Sequence, residues 1–273
     1  RPSELGEVVE RSADPARVRS ALERLTRAWG GTPDVLTDPV VGRRLVAVLA
    51  ASRTLAGLLE HDPLALEVLA RAAAPLPDHD AVRAVDVVGW KHRELLRIAA
   101  LDLTGEADLR ATTSALSAMA RHVLASLLVE VGEGRSEGHR VAVIGMGKLG
   151  GDELNYASDV DVLLVGEGDP VILERVARDL LERAGRAFRV DADLRPEGRD
   201  GPLVRSLASY EAYWDRWAEP WERQALLRAT PVAGDVVLGR SWSDARDGAL
   251  WDRPFSADDL RHVRALKARA EER

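Results

Sequence analysis

Two short apolar runs interrupt a chain whose hydrophobic spacing is otherwise helical. Residues 140–144 (RVAVI) and 160–165 (VDVLLV) are rich in β-branched side chains, a pattern typical of buried strands. A short segment that contains several glycines separates them. Residues 170–188 then have helical spacing, and residues 188–194 alternate like a third strand. The sequence therefore predicts a compact strand–loop–strand–helix–strand unit.

The regions on either side of this unit have the periodicity of helices. We predict a helical domain over 1–135, a core over 136–205 and a helical region over 206–273. Proline- or glycine-containing breaks are expected at 75–77 and 132–138. The expected fold class is α+β and mostly helical, with a small sheet flanked by helices. The predicted helices outside the core are 15–29, 41–59, 63–74, 90–101, 108–131, 208–227 and 258–273.

Composition and charge exclude several classes of protein. The chain is 46% hydrophobic and 30% charged, with a net charge of -7 and no Cys. This composition is that of a globular chain, and the lack of Cys excludes disulfides, zinc ribbons and thiol catalysis. The negative charge argues against a nucleic-acid partner, and the sequence has no apolar run that predicts a membrane span or secretory leader. Because the chain begins at Arg1 without Met, we expect it to be part of a longer protein.

The segment 143–165, VIGMGKLGGDELNYASDVDVLLV, has a pattern of glycines that must be explained. Gly145, Gly147 and Gly150 spell G-x-G-x-x-G, which in a dinucleotide-binding unit precedes a full helix. Here the next predicted strand begins nine residues after Gly151, so a full helix does not fit. The order of residues also differs from a P-loop, which ends in G-K-[ST]. Both of these nucleotide-binding motifs are therefore poor matches.

Asp159 and Asp161 offer a better interpretation. Residues two apart on a strand point to the same side, about 6–7 Å apart at Cα. Two carboxylates so placed can share Mg²⁺ ions, which bridge nucleotide phosphates and offset the charge that develops during transfer. The alternative is that both acids lie at a solvated strand end. The Gly150-Gly151 pair favours a metal site, because glycines let the backbone approach a phosphate, so we predict metal-dependent nucleotidyl transfer.

A third carboxylate is expected from a neighbouring strand. Asp191 and Asp193 both lie on the third predicted strand and are predicted to face the same way. Arg195 follows them, and an arginine beside several acids either balances their charge or binds an anion. The tyrosines and tryptophans within 208–227 are interpreted as packing in a core or domain interface rather than as a ligand platform.

Several blocks resemble one known family. The segment GMGKLGGDELNYASDVDVLLV closely resembles the nucleotidyltransferase core of the glutamine synthetase adenylyltransferase/adenylyl-removing family, within the polymerase-β-like superfamily. Residues 190–198 (VDADLRPEG) resemble V-D-x-R-L-R-P-x-G, and 93–99 resemble R-R-E-L-L-R-I. Residues 201–204 and 221–225 match further blocks. The resemblance covers about residues 40–235 and implies a polymerase-β-like nucleotidyltransferase core.

The resemblance also implies roles for individual residues. Asp159 and Asp161 would hold Mg²⁺, and Asp191 would complete the catalytic and metal site. At position 193 the family usually has Arg, whereas this chain has Asp193, whose added negative charge is expected to alter metal occupancy or nucleotide affinity. The residues implied to contact nucleotide or phosphate are Gly150, Gly151, Ser158, Lys148 and Arg195.

Members of this family carry two similar halves with opposed activities. The N-terminal half removes AMP from a tyrosine of glutamine synthetase by phosphorolysis, and the C-terminal half attaches AMP from ATP. The stretch 153–159, ELNYASD, resembles the removing half, which favours E-L-N-[FY]-x-S-D over E-L-x-Y-G-S-D. Residues 52–70 also resemble the start of that half. The resemblance therefore implies a cytoplasmic, Mg²⁺-dependent deadenylylase that regulates nitrogen assimilation. Its expected partners are adenylylated glutamine synthetase, phosphate, ADP or ATP, and a small nitrogen-signalling regulatory protein.

Three alternatives stay open. The chain could be the adenylyltransferase half, a nucleotide-binding regulatory fragment without catalysis, or a free-standing transferase acting on another protein or a small molecule. The intact D-x-D argues against the second of these. The six His residues show no metal-ligand spacing, and we assign them no role.

Overall fold

The computed structural model describes residues 4–73, 86–134, 138–252 and 256–271. They form two compact units, Arg1–Met119 and Ala120–Arg273. The break predicted at 75–77 and part of the break at 132–138 lie outside the described residues, as does the predicted domain boundary between 135 and 136. The predicted division into three regions therefore stays a prediction.

The described part of the first unit is helical. The long helix predicted over 41–59 is two helices, because the backbone of Ser52 is extended and its Oγ accepts a hydrogen bond from the Leu55 N–H at 3.2 Å. Apolar faces of these helices meet in one core, which includes Leu25, Leu45 and Leu96. The helices are α1 Glu4–Glu10, α2 Pro15–Ala28, α3 Pro39–Ala51, α4 Arg53–His61, α5 Ala65–Ala70, α6 Val87–Leu103 and α7 Leu109–Gly132, which runs across the division between the units.

A buried arginine in the first unit is neutralised by one glutamate. Arg44, 5% exposed, places Nε 2.9 Å from Oε1 and Nη2 2.5 Å from Oε2 of Glu106. Its Nη1 donates to the Leu69 carbonyl at 2.9 Å. The hydrogen bond from Arg44 is the main reason that the pKa of Glu106 lies below its ordinary value. Because a buried charge is costly without a partner, loss of Glu106 would destabilise the unit.

We expect Glu106→Gln to destabilise the first unit by roughly 1–2 kcal/mol at pH 7. A carboxyl whose pKa is lowered by folding stabilises the fold above its unfolded-state pKa, and this contribution is lost as pH falls through the folded-state pKa. The variant should therefore lose less stability than the wild type when pH falls from 7 to below 4.5, the ordinary pKa of Glu. Urea unfolding at both pH values tests this, with the exposed Glu23→Gln as control. Equal stability of Glu106→Gln and wild type at pH 7 would contradict the expectation.

The second unit contains a mixed five-stranded sheet. Strands β1 and β2 pair antiparallel, as do β1 and β5. Both β3 and β4 pair parallel with β2, one after the other along the same edge. The expected fold class, mostly helical α+β with a small sheet, is confirmed. The strands are β1 Arg140–Gly145, β2 Val160–Glu167, β3 Val190–Asp191, β4 Val204–Arg205 and β5 Thr230–Gly234.

Aromatic side chains pack beneath this sheet. The rings of Tyr210, Trp214 and Trp242 lie with centroids 5.4–6.0 Å apart, and the Tyr210 hydroxyl donates to the Leu164 carbonyl at 3.1 Å. The packing interpretation is confirmed for Tyr210 and Trp214, whereas Trp217 is 71% exposed. The remaining helices of this unit are α8 Gly147–Gly150, α9 Pro170–Ala184, α10 Leu207–Arg216, α11 Pro220–Leu226, α12 Val236–Trp251 and α13 Ala257–Glu271.

Three predicted elements of the second unit differ from the structure. The helix predicted over 208–227 is two helices, because Pro220 begins α11 behind a capping box of Glu219 and Glu222. The strand predicted over 188–194 ends at Asp191, since the chain turns there. The region 206–273 was predicted to be helical throughout, yet it supplies β5, whose proline and glycine make a weak strand signal.

One helix in the described part, Leu109–Gly132, is long and apolar enough to cross a membrane by length and composition alone. Of its most apolar stretch, 56% is buried inside the structure. Core helices pass the same test, so this helix is weak evidence for a membrane span.

Candidate active site

The three predicted catalytic acids come together at one end of the sheet. Asp159 immediately precedes β2, Asp161 is the second residue of β2, and Asp191 is its partner across the parallel β2–β3 pair. Val160 is 1% exposed, whereas the acids on either side of it are partly exposed, as alternation along a strand requires. The backbone register thus places Asp161 beside Asp191.

These carboxylates repel one another. Burial raises the pKa of Asp161 above its ordinary value, and the charges of Asp191 and Asp159 raise it further. Lys148 and Arg189 act in the opposite direction, because their positive charges favour the ionised form. A partly buried carboxylate with two acidic neighbours is the kind of environment that binds a cation.

One of the three acids, Asp159, is already paired with an arginine. Arg189 Nη2 forms an ion pair with Asp159 Oδ2. The hydrogen bond and charge of Asp159 raise the pKa of Arg189, and Asp191 and Asp161 add to this effect, so the guanidinium lies within electrostatic reach of all three acids. Sequence reasoning missed Arg189, whose partner is 30 residues away along the chain.

The acids fit a Mg²⁺ site by the chemistry of their donor atoms. Carboxylate oxygens are preferred ligands of this ion, and three of them gather here with an excess of negative charge. Within the described residues, no group of three His, Cys, Asp or Glu side chains has the arrangement of a metal site as it stands.

A glycine lies directly against the central acid. A Cβ at Gly147 would lie 3.2 Å from Asp161 Oδ2, and the φ of Gly147 is +54°, which a side chain would strain. The sequence predicts that Gly150 and Gly151 let the backbone approach a phosphate, whereas the structure places Gly147 next to Asp161. Gly147 is the second glycine of the G-x-G-x-x-G pattern. Because that pattern was a poor match to a dinucleotide-binding motif, the role of Gly147 beside the acid was not predicted.

Gly150 and Gly151, the two glycines predicted to contact phosphate, lie close to other parts of the backbone. A Cβ at Gly150 would lie 1.9 Å from the carbonyl oxygen of Arg228 and 2.4 Å from that of Gly145. At Gly151 the nearest atom would be the Gly147 oxygen at 3.2 Å, with Arg228 Nη1 at 3.8 Å. Close backbone packing thus gives a reason for glycine at 150. The predicted role of Gly150 and Gly151 in binding phosphate stays a prediction.

Ser158 closes the loop that leads to the acids. Its Oγ donates to Asn155 Oδ1 at 2.9 Å and accepts from the Asn155 N–H at 3.1 Å. The same Oδ1 accepts from the Ala157 N–H at 3.0 Å. This Asx-type turn fixes the backbone just before Asp159. Ser158 therefore positions the acid, and its predicted contact with phosphate stays a prediction.

The two predicted basic contacts have different surroundings. Lys148 is exposed on α8 and acts on Asp161 through its charge. Arg195 is buried, and its donors are used within its own loop: Nε binds the Gly201 carbonyl at 3.0 Å, Nη1 that of Ala192 at 2.8 Å, and Nη2 that of Arg199 at 3.2 Å. These contacts close the loop, and the predicted contact of Arg195 with an anion stays a prediction.

The charge at position 193 is balanced locally. Asp193 Oδ2 accepts from Arg199 Nε at 2.6 Å, and this bond is the main cause of the lowered pKa of Asp193. The Asp193 N–H donates to Asp191 Oδ1 at 2.7 Å, so its backbone supports the third acid. The sequence predicted that Asp191 and Asp193 face the same way on a strand, but Asp193 lies in the turn that follows β3.

Comparison with known proteins assigns the chain to a family. A family model described as glutamate-ammonia ligase adenylyltransferase matches residues 80–244. The bifunctional glutamine synthetase adenylyltransferase/adenylyl-removing enzyme of Mycobacterium avium is 36% identical over 97% of this chain and 30% of its own length. The same enzyme of Streptomyces coelicolor is 37% identical over 95% of this chain and 31% of its length.

The Mycobacterium bovis enzyme of that name is 41% identical over 78% of this chain and 23% of its own length. The chain therefore spans about a third or less of these relatives. The family model covers more than half of the 273 residues, including all three acids. The chain belongs to the glutamate-ammonia ligase adenylyltransferase family.

Proposed function

We propose that the chain is a metal-dependent nucleotidyltransferase that removes AMP from an adenylylated tyrosine of glutamine synthetase by phosphorolysis. The observation that carries this proposal is the register of β2 and β3, which sets Asp161 beside Asp191 and next to Asp159. The names of the relatives, which combine adenylyl transfer with adenylyl removal, support the same chemistry. The site is proposed to act in the cytoplasm, in the control of nitrogen assimilation.

The proposed reaction exchanges one bond to phosphorus for another. An oxygen of inorganic phosphate attacks the α-phosphorus of tyrosyl-AMP, the bond to the tyrosyl oxygen breaks, and ADP is released. The leaving phenolate takes up a proton, and its ordinary pKa of about 10 makes it a fair leaving group. Positioning and charge neutralisation therefore carry most of the catalysis.

Each residue of the site has its own proposed role in this reaction. Asp159, Asp161 and Asp191 would hold Mg²⁺, which when bound neutralises phosphate charge. The exposed ammonium of Lys148 offers a positive charge to an incoming phosphate beside Asp161. Gly147 leaves the backbone next to Asp161 open to close approach. Gly150, Gly151, Ser158 and Arg195 are proposed to contact the phosphate.

The direction of reaction rests on the ELNYASD sequence at 153–159, which resembles adenylyl-removing domains. The second candidate function is attachment of AMP from ATP, because the relatives are named for both reactions and the same acids serve either direction. A small nitrogen-signalling regulatory protein is a further proposed partner.

We expect the chain, incubated with adenylylated glutamine synthetase, phosphate and Mg²⁺, to release ADP in a phosphate-dependent reaction. A parallel incubation with unmodified glutamine synthetase and ATP should attach no AMP. Within a longer parent polypeptide, Asp159→Asn and Asp161→Asn should remove only the phosphate-dependent activity. Loss of AMP attachment with removal intact would show that the chain works in the opposite direction.

A further inference from the structure

We propose that Arg189 is an internal counter-ion that competes with the divalent cation for Asp159 and thereby lowers the metal affinity of the site. This inference rests on the metal site of the proposed function. Arg189 is not one of the proposed metal ligands, but the fold brings it next to one of them, Asp159.

The backbone of Arg189 is held beside the acids. Its carbonyl accepts the Val160 N–H at 2.9 Å, which ties the residue before β3 to the first residue of β2. From this anchored position the side chain reaches Asp159, and 82% of it remains exposed to solvent. The anchored backbone therefore keeps the guanidinium close to Asp159, which gives it a high effective concentration there. Its exposed side chain can still move away from Asp159 into solvent.

One carboxylate oxygen cannot serve both cations well. Asp159 Oδ2 accepts a hydrogen bond from Arg189 Nη2, and a metal ion on that carboxylate would lie a few ångströms from the guanidinium. Two like charges so close repel each other, most of all beside partly buried acids. Binding of the metal ion and retention of this ion pair are therefore opposed.

The other positive charges around the acids are placed differently. Arg199, which is as exposed as Arg189, is paired with Asp193 outside the three acids. Lys148 influences Asp161 through its charge. Arg189 is thus distinguished by its direct bond to a proposed ligand, and Arg199 provides a matched control.

Binding of Mn²⁺ to the purified chain, measured by electron paramagnetic resonance or calorimetry, tests this inference. At low ionic strength Arg189→Gln should bind Mn²⁺ about threefold tighter than the wild type, a modest factor because the pair is exposed. The difference should shrink as salt is added, since salt screens exposed charges. Arg189→Lys keeps the competing charge and should stay close to the wild type. Arg199→Gln should change the affinity less than Arg189→Gln does.

The possible outcomes separate this inference from the proposed function. If Asp161→Asn abolishes Mn²⁺ binding but Arg189→Gln binds no tighter than the wild type, the metal site stands and the counter-ion role is wrong. Equal tightening by Arg189→Gln and Arg199→Gln would also overturn it, because only net charge would then matter. If the wild type binds no Mn²⁺, or Asp161→Asn binds it equally well, the proposed metal site itself is wrong.

Discussion

Asp161→Asn should lower phosphate-dependent ADP release on the order of a thousandfold or more, while the melting temperature of the metal-free protein holds steady or rises. The carboxylate is partly buried between Asp159 and Asp191, and its raised pKa shows that its charge is held unfavourably. Removal of that charge relieves the repulsion among the three acids, so stability is kept. It also removes a carboxylate oxygen that would bind the metal ion, so activity is lost. Both quantities are measurable on one preparation, by ADP detection and thermal melting.

The exposed Asp244→Asn on α12 is the matched control and should keep both activity and stability. A fall in melting temperature of more than about 4 °C for Asp161→Asn would assign this carboxylate to the stability of the fold. Full activity of the variant would remove it from the reaction.

Gly150→Ala should destabilise the second unit by roughly 3 kcal/mol or more. The new Cβ would lie 1.9 Å from one backbone carbonyl oxygen and 2.4 Å from another, and neither can rotate away as a side chain would. Loss of activity in this variant would thus follow from a displaced backbone. Urea unfolding followed by tryptophan fluorescence measures the effect.

Gly151→Ala serves as the comparison, because its Cβ would approach the nearest oxygen only to 3.2 Å. We expect a much smaller loss of stability from it. If the two variants unfold at the same urea concentration, close packing is not the reason for glycine at 150.

The parts of the site that were predictable are those set by local periodicity. β-branched residues identify β1 and β2 in the sequence, and the i, i+2 spacing places Asp159 and Asp161 on one side of the chain. A third carboxylate was expected from a neighbouring strand with Asp191 and Asp193 both open, and the family resemblance implied Asp191. Only the placement of Asp159 and Asp161 needs no more than the geometry of a strand.

The parts that were missed depend on contacts between distant segments. Arg189 and Asp159 meet only after β3 pairs with β2, and the sequence near either residue gives no sign of it. The guanidinium of Arg195 donates to three carbonyls of its own loop, and these contacts cannot be read from residue type alone. β5 was missed because Pro231 and Gly234 are unusual in strands.

The brevity of β3 has a consequence for local stability. Asp191 is delivered to the acids by a strand of two residues, whereas β1 and β2 pair over six positions. Few hydrogen bonds must break to separate Asp191 from Asp161, and the long antiparallel ladder would survive that opening. The end of the sheet that carries the three acids can therefore open in a sub-global fluctuation that leaves the rest of the unit folded.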